Sequence, residues 1–360
     1  MTVAQAPLLG EIIGQIKQCN PRYRMAAQTQ LDSLTKPIGS LGRLEEIASQ
    51  MFSIFSGAIP TPLHRAVYVF AADHGVTAEG VSAYPRQVTA QMVRNFLSGG
   101  AAINVLARLH QANLTVVDVG VDAQFEDAPG LVQMKVSPGS RNMKHEAAMA
   151  HEQLSAAIEI GIRLALASKA RGEHLVAIGE MGIGNTTAAS AVAAMLTRRS
   201  VAEVTGHGTG VDSDGRNRKV NVIRRSLRRH FGDEMTAEPL EILRCVGGLE
   251  LAAITGFVLA AAASQIAIVC DGFISTAAAA VAYAIAPNVK DYLFAGHCSE
   301  EPGHRFLLHF IGIWPVLNLG MRLGEGTGAV LAMPVIESAI HLFNEMATFS
   351  SAGVSERNEA

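Results

Sequence analysis

Six short apolar runs recur through the middle of the chain: "AVYVFAA" at 66–72, "LTVVDVG" at 114–120, "LVQMKV" at 131–136, "HLVAIG" at 174–179, "QIAIVC" at 265–270 and "DYLFAG" at 291–296. They lack the alternation of apolar and polar residues that marks a sheet with one wet face. Runs of this kind belong to strands covered on both sides, as in a parallel sheet between helices. Most are separated by enough chain for a helical crossover, and several intervals carry helical spacing. The expected class is α/β with a parallel sheet.

The ends of the runs carry the chemistry. They stop at or near Asp73-His74-Gly75, Asp118 and Asp122, Glu180-Met181-Gly182, Asp271-Gly272, and His297-Cys298-Ser299-Glu300. A lone Asp-Gly is usually a turn or a helix cap. In an open parallel sheet, however, all carboxyl ends lie on one edge, where such folds bind ligands. The accumulation of polar residues there predicts a site on that edge.

Composition removes several alternatives. Hydrophobic residues make up 49% of the 360 and charged residues 17%, which suits a globular chain with a large core. A net charge of −3 and 5% aromatics argue against nucleic acid or an acidic membrane as partner. Cys19, Cys245, Cys270 and Cys298 form no Cys-x-x-Cys pair, the pattern of reduced thiols in a cytosol. The start "MTVAQAPLLGEIIGQIKQ" has neither the basic region nor the apolar core of a signal peptide. Between Glu250 and Asp271 no residue is charged, a length that could suggest a membrane span. Its alanine-rich first part and the β-branched "QIAIVC" that follows read better as a buried helix and a buried strand.

Three glycine turns stand out. "GEMGIGNTTAASAV" at 179–192 opens like a dinucleotide fingerprint, yet the third glycine would fall at Thr187, and Asn185 stands where a Walker loop needs Lys. A glycine turn ahead of a helix still suits a phosphate, held by free amides at the helix start. "VTGHGTGVDSDGRNRKV" adds a second turn and then Lys219, which is either a solvated base or a point charge for a phosphate. "MRLGEGTGAVLAMP" places Glu325 between glycines after the apolar "FIGIWPVLNLGMRL". Poor solvation there would raise its pKa towards that of a useful proton acceptor; an exposed helix cap is the other reading. "GHCSEEPGH" lacks the spacing of common zinc sites, so no metal is expected.

The motifs "LTKPIGSLGRLE", "AADHGVTAEGVSAYP", "GEMGIGNTT", "VGGLELAAITG", "DGFISTAAA" and "MRLGEGTGA" together resemble the nicotinate-nucleotide–dimethylbenzimidazole phosphoribosyltransferase family, over about 31–334. The resemblance implies a Rossmann-like parallel sheet at 61–329. With it go a small helical domain from 1–60 plus 330–350, a tail at 351–360, a homodimer, and a cytoplasmic enzyme without cofactor. It further implies transfer of the phosphoribosyl group of nicotinate mononucleotide to 5,6-dimethylbenzimidazole or a related base, for the lower ligand of cobalamin. Glu325 matches the catalytic carboxylate and Glu180 a second one. Gly182, Asn185, Thr186, Gly206, Gly208, Lys219, Asp271 and Ser299 would line the phosphoribosyl site. Tyr84, Met92, Met181 and Leu323 would meet the base. Tyr84, Met92 and Met181 differ from Ser, Gln and Leu in some members, which bears on the preferred base.

Overall fold

The structure, a computed structural model, describes residues 7–355 apart from 209, 234 and 235. All six apolar runs form strands: β1 (Arg65–Ala72), β2 (Asn113–Gly120), β3 (Leu131–Gln133), β4 (Leu175–Met181), β5 (Ala267–Cys270) and β6 (Leu293–His297). A seventh, β7 (Pro315–Leu317), lies within the stretch read from sequence only as apolar. It is three residues long and begins with a proline that has no N–H to give a ladder, so it belongs at an edge. The order is β3-β2-β1-β4-β5-β6-β7, with every pairing parallel. The chain direction across the sheet reverses between β1 and β4, the switch point beside which open α/β sheets take ligands.

Burial on both faces explains the composition of the strands. Ala66–Ala72 and Leu175–Ile178 are buried, as is all of β5. Helices Leu249–Ala263 and Phe273–Ile285 cover one face; Thr327–Glu345, Val88–Leu97 and Ala102–Leu109 cover the other. The uncharged segment 251–270 is thus the core of a buried helix followed by β5. Leu249–Ala263 packs so closely on His151–Ala170 that a Cβ at Gly161 would lie 1.8 Å from the Ala253 carbonyl oxygen. Among the described residues, no helix is long and apolar enough to cross a membrane.

Both chain ends meet on one side. Helices Pro21–Ser33 and Arg43–Ile54 pack together, and the second also packs on Thr327–Glu345. Leu34 forms an isolated bridge to Thr348, and Lys36 pairs with Glu45 in a buried salt bridge at 2.9 Å. Helix Pro7–Gln15 goes elsewhere, onto Leu249–Ala263. In the expected tail, residues 351–352 complete the short helix Phe349–Ala352, while 356–360 lie outside the described residues.

Candidate active site

β4 delivers Glu180 and Met181 to the carboxyl edge, and the chain then turns through Gly182 into helix Asn185–Thr197. The turn needs glycine because a Cβ at Gly182 would lie 2.4 Å from the Ala72 carbonyl oxygen of β1. Asn185, at the start of the helix, donates its side-chain amide to Glu180 Oε2. Glu180 is buried, and burial pushes its pKa well up; the charges of Asp271 and Glu250 add to this, and the Asn185 hydrogen bond opposes it.

The second glycine turn lies against the start of the same helix. Asp212 caps helix Ser213–Phe231 by accepting the Gly215 N–H at 2.8 Å, and the helix buries Lys219. Lys219 Nζ donates to Thr186 Oγ1 at 2.9 Å. Burial lowers the ammonium pKa to about 8, with Glu301 opposing the fall and Arg216 adding to it. A cation and a hydroxyl therefore meet at the head of a helix, an arrangement that attracts an anion.

The third turn follows β7. Glu325 has φ +64° and is only 6% exposed, so it is not the exposed helix cap of the other sequence reading. Burial raises its pKa to about 7; a backbone hydrogen bond at Ile103 opposes the rise, and the Asp271 charge adds to it. Glu325 Oε2 is buried without a hydrogen-bond partner. The turn lies directly on β4, where a Cβ at Gly179 would be 2.3 Å from Gly326 N. Glu325 is thereby brought beside Glu180, and a Cβ at Gly324 would lie 2.5 Å from Glu180 Oε1.

A cleft of about 600 Å³, counting the space at its open mouth, joins these parts. Of the residues expected at the site, Glu180, Met181, Gly182, Asn185, Thr186, Gly208, Ser299, Leu323 and Glu325 line it. Gly206, Lys219 and Asp271 stand behind the lining. Gly206 makes room for Glu301, since a Cβ there would lie 2.3 Å from Glu301 Oε2. Asp271 accepts the N–H groups of Gly326, Gly328 and Ala329 at 3.1, 2.6 and 3.0 Å, which caps helix Thr327–Glu345 and fixes the Glu325 turn. Tyr84 is exposed on a loop, and Met92 is half-buried on Val88–Leu97; neither lines the cleft. Thr89 of that helix does touch the site, accepting the Ile183 N–H at 3.1 Å.

At the β1 and β2 ends the carboxylates serve backbone and nearby bases, Asp73 and Asp122 pairing with Arg86 and Asp118 with Lys135. Asp118 Oδ1 accepts from Val121 N and Asp73 Oδ2 from Asp122 N, both at 2.8 Å. The cleft instead includes Phe273, Ile274, His297, Glu301 and Arg322, none of which sequence reasoning placed in the donor or base site. His297 is among the strand-end residues that mark the carboxyl edge in the sequence, Glu301 enters there only through the metal reading of "GHCSEEPGH", and Arg322 lies inside the "MRLGEGTGA" motif, one available signal. His304 is buried and its pKa falls to about 3, so it is neutral. Its Nδ1 accepts the Ser299 N–H at 2.9 Å, which leaves Nε2–H to donate to Thr276 Oγ1 at 3.0 Å. That fixes Ser299 at the end of β6. Among the described residues, no group of three or more His, Cys, Asp or Glu could hold a metal.

A Rossmann-ordered sheet, a cation and a hydroxyl at a helix head, and two carboxylates of raised pKa in one cleft are the parts of an α/β enzyme. The phosphoribosyltransferase family DBI_PRT matches residues 16–354. A nicotinate-nucleotide–dimethylbenzimidazole phosphoribosyltransferase of Geobacter metallireducens is 50% identical over 347 residues, 96% of this chain and 98% of that protein. The enzyme of the same name from Chlorobium chlorochromatii is 49% identical over 98% of this chain and 99% of its own. The crystal structure of that enzyme from Thermus thermophilus superposes with a TM-score of 0.88 at 45% identity, covering 94% of this chain and all of the other. This chain belongs to the nicotinate-nucleotide–dimethylbenzimidazole phosphoribosyltransferase family, a phosphoribosyltransferase of cobalamin biosynthesis.

Proposed function

We propose that the protein transfers the phosphoribosyl group of nicotinate mononucleotide to 5,6-dimethylbenzimidazole or a related base, giving α-ribazole 5′-phosphate and nicotinate. The observation that carries the reading is Glu325: a buried carboxylate with a pKa of about 7, in one cleft with Thr186, whose hydroxyl accepts from Lys219 behind the lining. Lys219, Thr186 and the head of helix Asn185–Thr197 take the 5′-phosphate, and Ser299 and Gly208 border the ribose. An azole nitrogen attacks the anomeric carbon as its bond to the pyridinium nitrogen breaks. The bonding electrons leave with nicotinate, which is a good leaving group because its nitrogen is already cationic. Attack from the opposite face turns the β linkage into an α linkage. The proton on the other azole nitrogen passes to Glu325, whose pKa suits a general base near neutrality. Glu180, held against Gly324 and Asn185, is the partner of Glu325 or its stand-in acceptor. Met181 and Leu323 border the base; Tyr84 and Met92 would reach it only from outside the present cleft.

We propose further a homodimer in the cytoplasm. Sedimentation equilibrium showing only the mass of one chain would exclude the dimer. The reaction is tested by incubating purified protein with both substrates and following nicotinate release and the α-linked nucleotide. Product that requires both substrates supports the reading; binding of the mononucleotide with no product from any azole overturns it.

A further inference from the structure

Gly208 is held from every side. Its N–H donates to Glu301 Oε1 at 2.8 Å, and its carbonyl accepts from Arg322 Nη1 at 3.2 Å. The position a Cβ would take lies 2.8 Å from Thr186 Oγ1 and 2.9 Å from Lys219 Nζ. Two cationic heads thus converge on one residue that lines the cleft, roughly 9 Å apart at most. Two N–H donors on opposite oxygens of a phosphate stand about 5–8 Å apart, which lies within that upper bound. Because Glu301 takes the Gly208 N–H, this amide does not serve an anion, and on this side of the cleft the positive charge comes from the two side chains.

Arg322 has no carboxylate partner among the described residues, although Glu180, Glu301 and Glu325 line the same cleft. Its one hydrogen bond among the described residues goes to a neutral carbonyl and uses one of five donors, and since Arg322 is exposed the rest of the planar fork is open to solvent and to an anion. Arg322 is also three residues from Glu325, and the intervening Leu323 and Gly324 line the cleft as well.

We propose that Arg322 is a donor-binding residue that closes a two-cation clamp with Lys219 on the 5′-phosphate of the mononucleotide. This rests on the transferase reading above.

The test compares nicotinate mononucleotide with nicotinate riboside, which keeps the ring carboxylate and lacks the phosphate, in the wild type, R322A and R322K. The readout is the ratio of kcat/KM for the two donors. Where riboside turnover is too slow to follow, its competition constant against the mononucleotide replaces the rate. R322A should lower the ratio by about 30-fold or more, the scale of a charge-assisted contact. R322K, which keeps a charge without the fork, should fall between. If both donors lose alike, Arg322 merely holds Gly208 or takes the ring carboxylate, and the clamp is wrong. A wild type that releases nicotinate from neither donor overturns the transferase reading itself.

Discussion

Glu325 stands at an unfavourable point of the backbone map, with a positive φ and a Cβ. That conformation costs about 1–2 kcal/mol for a residue other than glycine. It persists because its neighbours fix the turn: β4 lies under Gly326, and Asp271 holds three of the following amides. Burial adds a pH-dependent cost. The pKa is 4.5 in the unfolded chain and about 7 when folded. Stability from this group is fully present below the unfolded value and is lost as pH rises through the folded one. Glu325→Gln should therefore stabilise the protein by up to about 3 kcal/mol at pH 8 and add little at pH 4.5. Urea unfolding at the two pH values checks this. The same variant should lower kcat by about 100-fold or more, while nicotinate mononucleotide binds nearly as before. Equal losses in binding and rate would remove the proton-acceptor role.

At the scale of elements, the site depends on how one strand meets one turn. Gly179→Ala would place a methyl group 2.3 Å from Gly326 N, against backbone that cannot swing aside. The expected cost is about 1–3 kcal/mol, as for overpacking, with turnover falling further because Glu325 must move. Thermal unfolding alongside kcat separates the two effects; intact turnover in a destabilised variant would show that the contact does not place Glu325. Asp271 plays an equivalent part from β5. Asp271→Ala leaves three amides without an acceptor, for a loss of about 2 kcal/mol or more, again read by unfolding. Sequence showed these elements unevenly. The six apolar runs were plain because burial on both faces leaves a composition that needs no partner to be recognised. β7 was not, since three residues with a leading proline carry no pattern. Its status as a strand comes from pairing Ala295 with Pro315 and His297 with Leu317.

Across the whole molecule, two buried groups of opposite kind would set the working range of the proposed reaction. In the proposed reaction Glu325 must lose its proton, near pH 7, and Lys219 must keep its own, which it loses near pH 8. The kcat/KM for the mononucleotide should follow a narrow bell between those values, and Lys219→Arg should remove the alkaline limb. A flat profile from pH 6 to 9 would contradict both assignments. Ligand linkage gives a second check: nicotinate mononucleotide at about one hundred times its Kd should add about 2.7 kcal/mol to unfolding, and Lys219→Met should abolish most of that gain.

Sequence alone determined the class of the fold, the family, and which turns bear glycine. Strand burial, close backbone approach and left-handed turns each restrict residue type locally, so they leave a trace in the order of residues. It also raised the prospect of a poorly solvated Glu325, because the apolar run and the glycines around it are its neighbours in the chain. Only the tertiary structure decided how Asp271 is used. An aspartate after a strand looks the same whether it meets a ligand or three amides more than fifty positions away. It likewise brought Arg322 and Glu301 to Gly208, across a hundred residues or so, and left Tyr84 and Met92 outside the cleft lining. Hydrogen bonds and charge pairs act over a few ångströms of space and are indifferent to separation along the chain, so their partners are settled when the sheet closes.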